Sequence, residues 1–515
     1  MSSSLASRLF SVRSLWIAVP LVLVFGTTVT DYLSIDTWWM IATGKFIADA
    51  GAVPSRYPFT FAPQGPEFVD TQWLAQLIYY APYPVLGLQG IALLNALILT
   101  ASFAMLMRVA WERSASVPVA AICTLMAVTL TQNSLGARAQ SLGFLCFILT
   151  CWMLWSPVEH LDRRRIVLRM VALGAIEALW ANTHGSFFLG PFLTALLLSG
   201  HLIDSALHHQ FRSRTMSTRT TFFAVVMVLQ AAATLITPFG LDLYRYIGAL
   251  VANPAVRSYI SEWTPTSSDP TAVTILVISG TTTLGCMLVS SRRQRPRAAD
   301  VLILLGFGML AWQAVRNVAW LALISTPILA AYAVRLPWPS RSDRPTEVPI
   351  PSHVFAINAV LLAILLALAV SLLPWLKAGH PLLPVERYGM VHPNDPQAAA
   401  SFLLSLDRCG RVFAPQWWSG YLNWRLWPHC QTMIDIPVEV FQPEVILDFK
   451  VINAGEDTWD ALLDQYRVDV LLLSQGSQGT LLERARQSPS WSVVYEDHLS
   501  TILSRAQGVS FAPRS

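Results

Sequence analysis

The sequence predicts a polytopic α-helical membrane protein of about eleven transmembrane helices that ends in a small α/β domain. Three observations carry this. Of 515 residues, 54% are apolar and only 13% are charged, about half the share of charge in a soluble domain. Eleven apolar runs are long enough to cross a hydrocarbon core of about 30 Å, which takes roughly 17 to 25 residues each. Beyond about Pro381 the charged residues become regular, and short strand patterns alternate with short helical ones.

The apolar runs lie near 14–30, 87–107, 117–134, 139–156, 166–182, 187–204, 220–238, 271–291, 299–315, 318–335 and 354–373. Every second connection is rich in arginine, as in Arg163, Arg164, Arg165 and Arg169, or Arg292, Arg293, Arg295 and Arg297. Those connections hold 18 basic residues. The alternate ones hold seven: Lys45, Arg56, Arg138, Arg245, Arg257, Arg316 and Lys377. Positive charge concentrates on the cytoplasmic side, so the N-terminus is expected in the cytoplasm and the first long loop outside a cytoplasmic (inner) membrane. An odd number of spans then puts the C-terminal tail outside as well. Arg8 and Arg13 precede the run from Leu15 to Gly26 as in a signal peptide. Thr-Thr-Val-Thr-Asp stands where a small-residue cleavage site belongs, so the run is expected to stay as a span. A net charge of +4 spread over many loops gives no support for nucleic-acid binding.

The expected division is a transmembrane part, 1–376, and an extracytoplasmic α/β part, 377–515. The first external loop, 31–86, is the richest stretch. Ser34-Ile35-Asp36 suits the start of a helix running to about Ala48, with Trp38, Trp39, Ile41, Ala42 and Phe46 available for the headgroup layer. Four prolines between Pro54 and Pro66 break regular structure. A second surface helix follows from near Asp70 through Tyr80. The connection after the seventh span is long enough for one more surface helix, and prolines between Pro337 and Pro351 mark a cytoplasmic linker.

In the tail, strands are expected at Arg411–Ala414, Thr432–Asp435 and Val468–Leu473, with helices at Pro396–Leu406, Asp457–Tyr466 and Gly479–Arg486. Trp491–Tyr495 and Ser500–Ser504 read as an antiparallel hairpin. No glycine-rich phosphate loop is present. Cys123, Cys146, Cys151 and Cys286 fall in predicted spans and read as small packing residues. Cys409 and Cys430 lie in the tail without metal-ligand spacing and are free to pair in an oxidising compartment.

Asp36 is the carboxylate best suited to chemistry, because it follows an outward span end beside aromatic residues that shield it from water. The plainer role is a helix cap. Asp31, Glu67 and Asp70 are further acids of the same loop, and Asp70 has a capping role of its own. Glu177 lies inside the fifth span and must face a cavity or a partner. His184, seven residues on, shares its face, so a structural Glu–His or Glu–Arg pair stands beside a polar site. Glu262, before Trp263, is an exposed loop acid or a site residue. Arg138, Arg316, Arg245 and Arg257 form the external cationic set, each either a snorkelling anchor or a ligand for a lipid phosphate.

Asp36-x-Trp38-Trp39 with Gly44 and Pro54, Trp73-Leu74-Ala75-Gln76, and Trp180-Ala181-Asn182-x-His184-Gly185 together resemble the GT-C class of membrane glycosyltransferases. That class includes the oligosaccharyltransferase catalytic subunit, the protein O-mannosyltransferases and the aminoarabinose transferases. The pattern is most similar to a group of bacterial GT-C-like proteins and covers most of the chain. The resemblance implies a sugar transferred with inversion from a polyprenyl-phosphate donor to a glycan, lipid or protein acceptor, among membrane lipids at the external face. The class's loop aspartate maps onto Asp36, with Asp31 as the second candidate, and its phosphate-binding arginine has no unique match. Asp31 and Asp36 are five apart and make no D-x-D, so no cofactor is expected; a divalent metal stays open as an alternative that no such motif supports. The alternatives are a flippase for lipid-linked glycans, which calls for discontinuous helices and midplane charges, and a non-catalytic scaffold of the same fold.

Overall fold

The computed structural model describes residues 10–65, 68–207, 214–252, 260–293, 295–336, 352–407 and 409–505. Glu67, Arg257 and the whole proline-rich linker from Pro337 to Pro351 lie outside the described residues. Among the described residues, eight helices are long and apolar enough to cross a membrane. Three shorter apolar helices, Gln140–Trp155, Thr218–Ala233 and Ala298–Gln313, take the places of the remaining runs. The protein is a multi-pass membrane protein.

The chain forms two compact units that differ from the expected division at residue 376. One comprises 1–31, 92–241 and 260–388; the other comprises 32–91, 242–259 and 389–515. The first long loop therefore clusters with the C-terminal sheet, and so does the segment after the seventh apolar run, which contributes the helix Asp242–Ala252.

The helical unit packs through small residues. Ala110, Ala120, Ala121 and Ala330 are fully buried in one cluster with Met107, Cys123 and Leu329. Without a hydrophobic drive between helices in lipid, such side chains let backbones approach closely. Gly200 is an extreme case: a Cβ there would lie 2.2 Å from the Ala299 Cα.

The second unit holds a five-stranded sheet in the order β2-β1-β3-β5-β4. The strands are β1 Gly410–Phe413, β2 Cys430–Thr432, β3 Val470–Ser474, β4 Trp491–Glu496 and β5 Ser500–Arg505. β1 pairs in parallel with β2 and β3, while β5 runs antiparallel to β3 and β4. Central β3 is buried along its whole length, as expected of a strand covered on both faces. Cys430 stands opposite Gly410, which brings it beside Cys409, and the two form a disulfide. The second strand starts and ends earlier than the expected Thr432–Asp435. The chain turns after Thr432, and the carboxylate of Asp435 goes inward instead.

Two bridges tie the first loop to this sheet. Thr60 pairs in parallel with Thr432, and Gln64 pairs antiparallel with Phe441. The helix Ile35–Ala50 packs against Trp73–Tyr80 at Gly44, where a Cβ would sit 2.2 Å from the Gln76 carbonyl oxygen. It also meets the helix Gln416–Leu426 at Gly420, where a Cβ would lie 3.2 Å from the Ile35 carbonyl oxygen. Trp38, Trp39, Ile41 and Ala42 are consequently buried within the unit. They do not lie on the headgroup layer as expected from their apolar spacing. Phe46 packs edge-on against Phe59 and Trp427.

Candidate functional site

In the helical unit, four of the expected residues gather where several helices end on one side. Arg138 lies two positions before the helix Gln140–Trp155, His184 caps the C-terminal end of Arg163–Thr183, and Arg316 lies in the short turn Val315–Asn317 ahead of Val318–Ala333. Glu262 comes from the turn Ser261–Trp263. That loop is strapped down by Val315 N–H, which donates to the Thr264 carbonyl at 3.1 Å, and by the Thr266 hydroxyl, which donates to the Ala311 carbonyl.

The Arg138 guanidinium donates to Glu262 at 2.8 Å. Arg138 is mostly buried, and Glu262 keeps about 43% of its side chain exposed. The Arg316 guanidinium lies 4.5 Å over the Trp263 ring. Burial works against the charge of Glu262, but Arg138 and Arg316 more than offset it and hold its carboxyl below the usual range. Burial, then Arg316 and Arg138, push His184 well below its ordinary value, so the imidazole is neutral.

Its tautomer follows from the hydrogen bonds. Trp180 Nε1 donates to Ser186 Oγ at 3.0 Å, Ser186 N–H donates to His184 Nδ1 at 3.1 Å, and Ser186 Oγ lies 2.6 Å from the same Nδ1. Nδ1 is thus an acceptor, which leaves the proton on Nε2. Two guanidiniums, one carboxylate and a neutral imidazole donor make a net cationic cluster suited to a phosphate.

Glu177 is not part of that cluster. It is fully buried, and its partner is neither histidine nor arginine but Gln230, whose Nε2 donates at 3.4 Å. Gln230 in turn accepts from Thr194 Oγ1 at 2.7 Å. The carboxylate fills the space that a side chain at position 190 would take, since a Cβ on Gly190 would lie 2.1 Å from Glu177 Oε2. An amide has no hydropathy signature that marks it as a partner, so Gln230 was not foreseeable. Asn182 is structural too, donating to the Ala178 and Ile236 carbonyls.

Asp31 belongs to the helical unit and is ion-paired with Arg387. Asp36 belongs to the other unit. It sits half-buried in the first turn of Ile35–Ala50, where a carboxylate is favoured by the helix dipole. The cap position is Ser34, whose side chain makes no capping hydrogen bond, so Asp36 is not the cap. Asp70 Oδ1 accepts from Gln72 N–H and from Gln76 Nε2, both at 3.0 Å. The position before Trp73–Tyr80 is held by Gln72.

The same unit contains a buried acid, Asp435, and a half-buried one, Glu439, that sequence patterns did not mark. Asp435 accepts from Tyr57 Oη and Asn423 Nδ2, both at 2.6 Å, and from Ile436 N–H at 2.7 Å. Burial pushes it up to about 6. Glu439 accepts from Tyr246 Oη at 3.1 Å. Asp435 lies in Ile434-Asp435-Ile436-Pro437, which reads as a strand end; a lone acid among apolar residues was the available signal. Among the described residues, no group of three or more His, Cys, Asp or Glu side chains is arranged to hold a metal ion.

Compared by sequence, the chain matches no protein-family model and no curated protein. Compared by structure, it resembles ArnT from Cupriavidus metallidurans bound to undecaprenyl phosphate, with a TM-score of 0.54 and 14% identity over 97% of this chain and 99% of that one. It also resembles the archaeal oligosaccharyltransferase AglB from Archaeoglobus fulgidus, solved with an inhibitory peptide and a dolichol-phosphate. There the TM-score is 0.51 at 10% identity, over 96% of this chain and 74% of that one. A third likeness is the mycobacterial arabinofuranosyltransferase AftD, with a TM-score of 0.52 and 18% identity; it covers 96% of this chain but only 41% of that one. All three are GT-C glycosyltransferases, and the chain has a GT-C-like fold.

Proposed function

We propose that the protein is a membrane glycosyltransferase that moves a sugar from a polyprenyl-phosphate donor to an acceptor at the external face of the cytoplasmic membrane. The observation that carries this reading is the gathering of Arg138, Arg316, His184 and Glu262 at one end of the helical unit of a GT-C-like fold. ArnT and AglB, with the same kind of fold, were solved with polyprenyl phosphates. In this proposal Arg138 and Arg316 hold the donor phosphate, and the His184 Nε2–H is a further donor to its oxygens. Glu262 fixes the Arg138 fork. Arg257 remains a candidate outside the described residues.

The acceptor's hydroxyl or amine attacks the anomeric carbon from the face opposite the phosphate, which inverts that centre. The bond from carbon to phosphate oxygen breaks, and the lipid phosphate leaves with the electron pair, its charge met by the arginines. The acceptor's proton goes to the Asp36 carboxylate. Asp31 is the weaker candidate because Arg387 already neutralises it. The scheme requires no metal, since guanidiniums supply the positive charge.

The test is a reconstituted transfer assay with Asp36→Asn, Arg138→Ala and Arg316→Ala. Asp36→Asn is expected to insert, to bind donor and to lose transfer by about 10²-fold or more. The arginine variants are expected to weaken donor binding, which separates phosphate ligands from the base. Near-parental turnover by Asp36→Asn removes that residue from the mechanism.

A further inference from the structure

The helix Gln140–Trp155 begins beside Arg138 and ends at Trp155, and its 16 residues span about 24 Å. At the Trp155 end the helical unit encloses a second basic feature, independent of the glycosyl-transfer reading. A cavity of about 520 Å³ is lined there by Arg113, Arg219, Arg295, Arg297, Asp204 and Asp300. That size is in the range of small-ligand sites.

The two acids are already occupied. Arg113 Nη2 lies 2.8 Å from both carboxylate oxygens of Asp300, which also accepts from Tyr332 Oη at 2.9 Å. Asp204 accepts from Ala298 N–H at 3.0 Å. Arg219 is held by Glu159 at 3.3 Å and lies over Phe223, and Arg113 lies 4.6 Å over Trp155. Arg295 and Arg297 are exposed, and among the described residues neither has a carboxylate partner. A fixed pair of guanidiniums on aromatic faces and a second pair open to solvent leave the lining with a net charge of +2, or +1 with the Glu159 carboxylate on Arg219 counted. Trp155 and Phe223 add an apolar wall.

We infer that this cavity is a binding site for a phosphate group, carried by an anionic membrane lipid or as free phosphate. Guanidinium forks match phosphate oxygens. Basic pockets between transmembrane helices at the arginine-rich side suit anionic headgroups. The site lies at the end of the helical unit opposite Arg138 and Arg316, so its occupant is distinct from a donor bound there.

The test uses the full-length protein and the double variant Arg295→Gln with Arg297→Gln, whose exposed side chains make no contact the fold needs. A control, Arg163→Gln with Arg292→Gln, removes two exposed charges from the same end but outside the cavity. Native mass spectrometry from nanodiscs of phosphatidylcholine doped with phosphatidylglycerol reads lipid retention, and phosphorus NMR reads binding of inorganic phosphate. Selective retention of phosphatidylglycerol, weakened roughly 30-fold in the cavity variant and unchanged in the control, supports a lipid headgroup. Phosphate binding with the same dependence, and no lipid selectivity, supports free phosphate. Equal loss in the control, binding unchanged in the cavity variant, or binding of neither probe by the parent overturns the site.

Discussion

Asp70 is nearly fully buried, and among the described residues its Oδ2 has no hydrogen-bond partner. Burial pushes the group up from 3.8 to about 7; the bonds from Gln72 and Gln76 oppose the shift, and Glu439 adds to it. A carboxyl whose folded value lies above its unfolded one stabilises most when protonated. Its contribution is complete below about pH 4 and is lost as pH rises through about 7. The full window is worth about 4 kcal/mol, from 1.36 kcal/mol for each pH unit between the two values. Between pH 5 and pH 8 the loss is roughly 2–3 kcal/mol. Asp70→Asn keeps the Oδ1 acceptor and removes the titration. Its unpaired amide N–H costs about 1 kcal/mol at every pH, so the variant is expected to be near or below the parent at pH 5 and clearly above it at pH 8. Chemical unfolding of parent and variant in detergent at both pH values checks this. Taking the difference between the two proteins cancels the titration of Asp435 and of Asp395, another buried acid that burial pushes up to about 6. A variant-minus-parent difference that is the same at pH 5 and pH 8 refutes the reasoning.

Gly44→Ala forces a Cβ onto the Gln76 carbonyl and is expected to cost about 1–3 kcal/mol. Gly285→Ala, where nothing lies within 4 Å, is expected to be neutral or slightly stabilising, and parallel melting curves compare them. Reducing Cys409–Cys430, 21 positions apart, is expected to cost about 3 kcal/mol; equal gel mobility and alkylation before and after reduction contradicts the bond. A reporter active only outside the cytoplasm should signal when fused after Lys377 and stay silent after Arg295, and silence at Lys377 overturns the proposed orientation.

The helical part of the fold was legible because a membrane span is a local property: about twenty residues carry the whole signal, and the eleven runs correspond to the eleven apolar helices. The gathering of Arg138, Arg316, His184 and Glu262 was half legible. Alternation of the connections puts them on one side, but nothing in spacing says that Trp263 lies under Arg316 or that Ser186 sets the His184 tautomer. What escaped was non-local. Trp38 and Trp39 look interfacial by composition, yet Gly420 lets the helix Gln416–Leu426 cover them. Thr60 and Thr432 carry no pattern that announces their pairing, so the sequence alone does not group the loop with the C-terminal sheet.

Tyr57 leaves the ribosome long before its partner Asp435, since 378 positions separate them. At roughly 5–20 residues per second, the wait is about 20–75 s. The helices Ile35–Ala50 and Trp73–Tyr80 are able to meet early through Gly44, but Tyr57 and Phe59, almost wholly enclosed in the finished protein, have no sheet to close over them until the last fifth of the chain is made. A chain that stops before Cys430 therefore displays an uncovered aromatic cluster, open to chaperones and proteases. Synthesis past Asp435 and Phe441 is what hides it.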